Sequence, residues 1–379
     1  MQKSLDQKIA RILADPNCKD FMLADAKDAD MAFGIAAPGK SPEHHSQEGK
    51  FRTLAEYRDQ IRQVIDQAKV DIMLMSASTN EILTIEERLF DNSPITPAAR
   101  ANDTTDVHVI SGGHYVDQPS RPFRSATIDH IQCGKYTCNP QERKLGANLG
   151  LYSVTFNNDL QLDLQTLEAF KAFRLEAEKK QFRYFLEVFN PNIANAVAQE
   201  KLGAFINDHI VRDLAGVTKA GRPLFLKVVY QGAKFMEQLA SYDPTLIPGI
   251  LGGASGTTMD AFQLLQEAKK YGAKIALYGR KINNSEHQLA FISFLRLVAD
   301  GEVTAFEAVH AYHGVLQKLG IKPYRALADD VQITNPAVSY GGTSGRTTVS
   351  KSVIGTATPD FRKMTTQEKL QYQRKKVQS

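Results

Sequence analysis

Leu224-Phe225-Leu226-Lys227-Val228-Val229-Tyr230 is an apolar run interrupted at its centre by one lysine. Upstream, Tyr184-Phe185-Leu186-Glu187-Val188-Phe189 repeats the pattern with an acid in the equivalent place. Downstream come two more short apolar runs, Ile247–Leu251 and Lys274–Tyr278. Between and beyond these runs, apolar residues fall at helical spacing over 163–179, 194–214, 235–240, 259–271, 288–299 and 305–319. Short apolar strands alternating with helices are the pattern of parallel βαβ units. Strands apolar on both faces are what a parallel sheet covered by helices requires.

Working outward, the N-terminal half continues the alternation less regularly. A helix is predicted over 4–13, a first strand over 21–25, a helix over 53–68 and a second strand over 70–75. Pro94, Pro97, Gly112, Gly113 and Pro119 then break the pattern, and Ser111-Gly112-Gly113-His114 reads as a turn. Residues 125–131 are assigned to a third strand and 149–156 to a fourth, with Tyr152 in the core. With Arg183–Phe189 as the fifth, eight strands result. The fold expected is a (β/α)8 TIM barrel with an insertion in the N-terminal half, at 85–145, and a C-terminal extension. An open doubly wound sheet is the alternative. The 379 residues suit a single barrel with additions. The barrel is placed at 1–325. Residues 326–379, Ser/Thr-rich and then basic over 362–376, form an extension that stays mobile or packs on a neighbouring subunit.

Composition narrows the function. Hydrophobic residues at 42% and charged residues at 23% are ordinary for a globular chain. The net charge of +4 is carried largely by the tail and is not clustered, which speaks against nucleic acid as a partner. No apolar run approaches the ~20 residues of a membrane span, and the charged N-terminus lacks a signal-peptide core. Cys18, Cys133 and Cys138 are too few for a disulfide framework. Cys133 and Cys138 lack the second pair that a zinc site needs. All three are read as reduced thiols in a cytoplasmic protein.

Catalytic groups of a barrel stand at the C-terminal ends of its strands, so polar residues interrupting apolar strands are the candidates. Lys227 is the first. An amine among apolar side chains loses solvation of its charged form, and the neutral amine attacks carbonyl carbon. The bland reading is a lysine whose head group reaches out to water. Glu187, one strand earlier in the same register, would move protons beside it, or form a structural ion pair with it. Asp25, ending the first strand, would bind a substrate hydroxyl or shuttle a proton, or cap a helix. With Asp28 and Asp30 it imitates part of a calcium loop, but that loop's glycine and closing glutamate are missing. No metal is expected. Phosphate sites on barrels are often built from the loops after strands seven and eight. Here those loops hold Gly252 and Gly253, then Gly279 and Arg280, offering backbone N–H groups and one guanidinium. His44, His45, His108 and His114 show no ligand spacing.

At these residues the chain resembles a family. Lys227-Val228-Val229-Tyr230-Gln231-Gly232-Ala233-Lys234-Phe235 is similar to the lysine-strand motif of archaeal-type class I fructose-bisphosphate aldolases. The Gly252-Gly253 and Gly279-Arg280 turns fall where that family places its phosphate-binding turns, and Glu187 before Lys227 resembles the acid–lysine pair of tagatose-bisphosphate aldolases. The likeness spans roughly 149–285. After Asp25 this chain has Ala26-Lys27-Asp28 where the aldolases commonly have His-Gly, and it has no tryptophan. The resemblance implies a barrel, Schiff-base chemistry without metal or cofactor, a phosphorylated sugar-like substrate and a homo-oligomer. It assigns Lys227 to the Schiff base, Glu187 or Asp25 to proton transfer, and the two turns to phosphate. The expected activity is therefore a class I aldolase-like carbon–carbon lyase acting on a phosphorylated keto sugar. The alternatives are a barrel isomerase or lyase without a Schiff base, and a non-catalytic sugar-phosphate-binding protein.

Overall fold

A computed structural model describes residues 1–335 except 16, 42–50 and 254–255. Its centre is a closed barrel of eight strands: β1 (Met22–Lys27), β2 (Ile72–Met75), β3 (Thr96–Arg100), β4 (Leu149–Thr155), β5 (Arg183–Phe189), β6 (Leu226–Val228), β7 (Gly249–Leu251) and β8 (Ile275–Tyr278). Every neighbouring pair is parallel, and β8 returns to pair with β1. The expected (β/α)8 barrel is therefore the fold, and the open sheet is not.

Strand register sorts the side chains into two cores. Ala24, Ile72, Leu74, Ala98, Leu151, Phe185, Phe225, Ile275 and Leu277 pack inside the barrel. Leu23, Met73, Met75, Tyr152, Leu186, Leu226, Ile250 and Tyr278 face the helices. Tyr152 lies in this outer layer, its ring stacked 4.3 Å from that of Phe173. The helix Ser4–Ala14 buries Leu5 and Ile12 against the interior cluster and so closes the floor of the barrel. Outer helices begin where short polar side chains can cap them. Thr53, Thr257 and Thr304 each form a capping box with the acid three residues on.

The third strand is the main correction. Residues 125–131 are not a strand. Thr127 accepts a hydrogen bond from the His130 N–H and caps a helix, Ile128–Cys133, which buries Ile128 and Ile131 one turn apart. The real β3, Thr96-Pro97-Ala98-Ala99-Arg100, contains a proline, which argues against a central strand. Here the proline does no harm. Thr96 N donates to Asp71 O on the β2 side, and Ala101 N donates to Leu151 O on the β4 side. Pro97 therefore faces β4, whose pairing with β3 starts only at Ala99. No ladder bond is lost.

Two smaller differences follow. The helix expected over 194–214 begins at Leu202. Cys133 and Cys138, expected as reduced thiols, form a disulfide. Gly134, in the left-handed conformation at φ 71°, ends the helix and turns the chain back, bringing the two Cα atoms within 6.0 Å. Cys18 is free. Ser111–His114 is a turn as expected, closed by Gly113 N to Ile110 O. Beyond the last barrel helix, Leu327–Asp330 is a short helix tied down where Asp330 accepts from Thr258 N at 2.7 Å and meets His313 Nε2 at 2.9 Å. The rest of the expected extension, 336–379, lies outside the described residues, as do His44 and His45. Among the described residues, no helix is long and apolar enough to cross a membrane.

Candidate active site

Register brings three polar side chains to one level of the barrel interior. Ser153 on β4 pairs with Glu187 on β5, which pairs with Lys227 on β6. Each stands one alternation above an apolar layer in which the rings of Phe185 and Phe225 stack at 4.5 Å. Lys227 Nζ lies 2.6 Å from Glu187 Oε1, and Ser153 Oγ donates to Glu187 Oε2 at 2.7 Å. Glu187 is 1% exposed and Lys227 7%, so the pair is nearly dry but open at the lysine end. An ion pair in such a place holds together only with good geometry and further hydrogen bonds, and here both carboxylate oxygens have partners.

The network continues around the mouth. Arg100 Nη2 donates to Ser153 Oγ at 3.3 Å, and Arg100 Nη1 meets Asp28 Oδ2 at 2.8 Å. Burial opposes the Arg100 charge, but Asp28 and Glu187 outweigh it and raise its pKa above the ordinary value. Asn102, fully buried, accepts from Ser153 N at 2.6 Å and donates to Ser153 O at 2.8 Å. Its side chain thus extends the β3–β4 ladder and fixes the residue that holds Glu187. Above this, Asp106 accepts from Thr155 Oγ1 at 2.9 Å and Ser120 Oγ at 2.8 Å. These bonds pin the excursion after β3, with its short antiparallel pair Asp103–Thr104 and Pro122–Phe123, against the end of β4.

Asp25 is not part of this group. Ala24 belongs to the interior cluster, and Asp25 shares its register with the outward-facing Met73 and Tyr278. The Asp25 side chain sits under the helices, 3.2 Å from Lys27 Nζ. Lys27 also donates to Asn283 and, at 3.1 Å, to Gln288. Asn283 Nδ2 donates to Tyr57 Oη at 3.2 Å. Burial pushes the Asp25 carboxyl up to about 6 against the pull of Lys27, and burial lowers Lys27. The acid that β1 sends to the mouth is Asp28.

The two glycine turns lie at the ends of β7 and β8. A Cβ on Gly252 would stand 2.0 Å from the Tyr278 ring, and one on Gly279 would stand 2.5 Å from Ala26 O. Close packing thus accounts for both glycines. Gly253 has φ +62° and open space around it. Arg280 opens the short helix after β8, its guanidinium 5.4 Å from the Phe33 ring centroid. Burial lowers its pKa against the opposing pull of Glu187. Two cations that the sequence reading passed over converge nearby: Lys281 Nζ and Arg325 Nη1 both donate to Gly256 O, at 3.0 and 3.1 Å. No group of His, Cys, Asp and Glu among the described residues could hold a metal ion.

The site thus combines a lysine and a glutamate paired on adjacent inner strands of a (β/α)8 barrel with cations at the ends of β7 and β8. Solved structures sharing the fold include an archaeal fructose-1,6-bisphosphate aldolase with its catalytic lysine covalently bound to the carbinolamine intermediate of the substrate. It is 14% identical, covers 79% of this chain and 100% of its own, and superposes with a TM-score of 0.55. The fructose-bisphosphate aldolase of Slackia heliotrinireducens DSM 20476 is 12% identical over 81% of this chain and 89% of its own, with a TM-score of 0.55. No protein-family profile and no curated protein matches the sequence. At these identities the likeness shows a shared fold, and the chemistry must be argued from this chain's own residues.

Proposed function

We propose that the protein is a class I aldolase-like lyase in which Lys227 forms a Schiff base with the carbonyl of a phosphorylated keto sugar. The observation that carries this reading is the buried Lys227–Glu187 pair, 2.6 Å apart on the barrel's inner face. Glu187 takes a proton from Lys227, and the neutral amine adds to the carbonyl carbon. The same carboxyl group returns the proton to the carbinolamine hydroxyl, which leaves as water, and the nitrogen becomes an iminium. Electrons of the carbon–carbon bond next to that centre then flow to nitrogen, giving an enamine and an aldehyde. The substrate hydroxyl that becomes the aldehyde gives its proton to Glu187. Asp28, held by Arg100, is the second acid at the mouth and takes the place first given to Asp25. Arg280 and the turn at Gly253 receive the phosphate. This assignment rests on the Arg280 guanidinium, which makes no hydrogen bond or ion pair to a described residue.

The test is borohydride inactivation. A panel of keto-sugar phosphates is assayed for cleavage, and the protein is then treated with borohydride with and without each one. Loss of activity that requires both sugar and borohydride supports the reading. Turnover that borohydride leaves untouched rejects it in favour of Lys227 and Glu187 acting as an acid–base pair in an isomerase or lyase. Homo-oligomerisation and a cytoplasmic location remain part of the proposal. The location no longer draws support from reduced thiols at 133 and 138, because disulfides are rare in the cytosol.

A further inference from the structure

At the end of the barrel away from the mouth, a cavity of about 260 Å3 opens beside the start of β5. Its walls are the C-terminal part of the helix Leu160–Lys179, the first residues of β5 and the segment 219–224 that leads into β6. Four cations line it, Arg174, Arg183, Lys219 and Arg222, against one acid, Glu178. Arg183 Nη1 meets Asp6 at 2.5 Å and Arg222 Nη1 meets Asp243 at 2.9 Å, each leaving Nη2 without a hydrogen bond to a described residue. Arg174 has no such partner. Its Nε is buried without a hydrogen bond, and its guanidinium lies over the Phe170 ring at 5.1 Å. Glu178 stands one helical turn from Arg174, but no ion pair joins them, and Lys219 makes none with any described residue.

We infer that this cavity is a second binding site, separate from the barrel mouth, for a small anion bearing a phosphate group. Arg174 lines the cavity and has no anionic partner among the described residues, so its guanidinium gains most from a ligand that supplies one. Guanidinium forks match the planar-spaced oxygens of phosphate, and several of them around one small space favour multiple negative charge. The volume is at the small end for a ligand site, which suits a phosphorylated metabolite. The cavity is built on the two strands that carry the inner pair. Tyr184 Oη donates to Gly221 O at 2.7 Å, and Leu224 N donates to Tyr184 O at 2.8 Å. Tyr184 precedes Glu187 by three residues, ~10 Å along β5.

The test is calorimetric titration with inorganic pyrophosphate at low ionic strength, in the Arg280→Met background so that the mouth's free guanidinium is absent. One saturable site is expected. Adding Arg174→Gln or Lys219→Gln should weaken it about tenfold or more, the loss of one charge-assisted bond. Adding Glu178→Gln should tighten it severalfold by removing the opposing charge, an effect that a merely structural role would not produce. Lys219 and Glu178 are exposed, so these variants keep the test alive if Arg174→Gln fails to fold. Absence of pyrophosphate binding in the Arg280→Met protein, or binding that none of the three changes alters, overturns the inference.

Discussion

Replacing Glu187 by Gln separates the two jobs given to the carboxylate. The amide keeps the shape and can still accept from Lys227, but it carries no charge and cannot take a proton. The structure bounds the cost in stability. Lys227 loses a counter-ion at 2.6 Å in a nearly dry site. It can respond by staying neutral, and removing a proton from an ordinary amine at pH 7 costs at most about 5 kcal/mol. Breaking a buried pair by removing one partner costs about 3–5 kcal/mol by experience. Both figures point to a destabilised but folded protein, measured as a lower urea midpoint with unchanged slope. The variant also lacks the carboxyl that returns a proton to the carbinolamine hydroxyl, so the adduct that borohydride traps should form more slowly. Turnover should fall ~10²–10⁴-fold, the usual worth of a general acid–base group. Full turnover by Glu187→Gln would refute the role of the carboxylate. Adduct formation at the parent rate would refute the part given to Glu187 in expelling water from the carbinolamine.

Four further outcomes are expected. Arg280→Met should raise the KM for a phosphorylated substrate ~10–100-fold while kcat changes little, and should leave an unphosphorylated analogue unaffected; a fall in kcat alone would remove Arg280 from phosphate binding. Asn102→Ala strips two hydrogen bonds from the buried main chain of Ser153 and should cost about 2–4 kcal/mol in urea unfolding, with kcat reduced in parallel. Asp25→Leu alone leaves Lys27 buried without its partner and should cost about 3–5 kcal/mol, whereas Asp25→Leu with Lys27→Met should be close to neutral or stabilising and keep turnover. The pH dependence has a definite sign. The folded Asp25 carboxyl binds its proton more tightly than the unfolded one, about 6 against 3.8. The native state therefore carries more protons over that window, and its contribution to stability falls as pH rises through it. Titrating urea midpoints should show this slope in the parent protein and lose it in the double variant.

The inner pair was legible because Tyr184–Phe189 and Leu224–Tyr230 are apolar runs with one charge each, so alternation alone put Glu187 and Lys227 on the same face. The same device would have found Ser153, the polar residue in equal register on β4. Arg100 and Asn102 were hidden because β3 is short, small-sided and contains Pro97, features that argue against a strand unless the missing pairing on the β4 side is known. Asp25 went to the wrong face because the flanking Ala24 and Ala26 are too small to show which side of β1 is the interior, and the strand runs on to Lys27. Gly252 and Gly279 were read as openings for an anion, but a glycine demanded by a neighbouring ring or carbonyl looks identical in sequence. The disulfide was missed because five residues of separation do not reveal the turn at Gly134.

The central claim is that Lys227 becomes covalently attached to substrate. The direct measurement is the mass of the protein, and of the proteolytic peptide containing Lys227, after borohydride reduction with each of a panel of keto-sugar phosphates. The account predicts an added mass equal to a reduced substrate or product on that peptide, absent from Lys227→Met. An active protein whose Lys227 peptide keeps its unmodified mass with the sugar it turns over would contradict it.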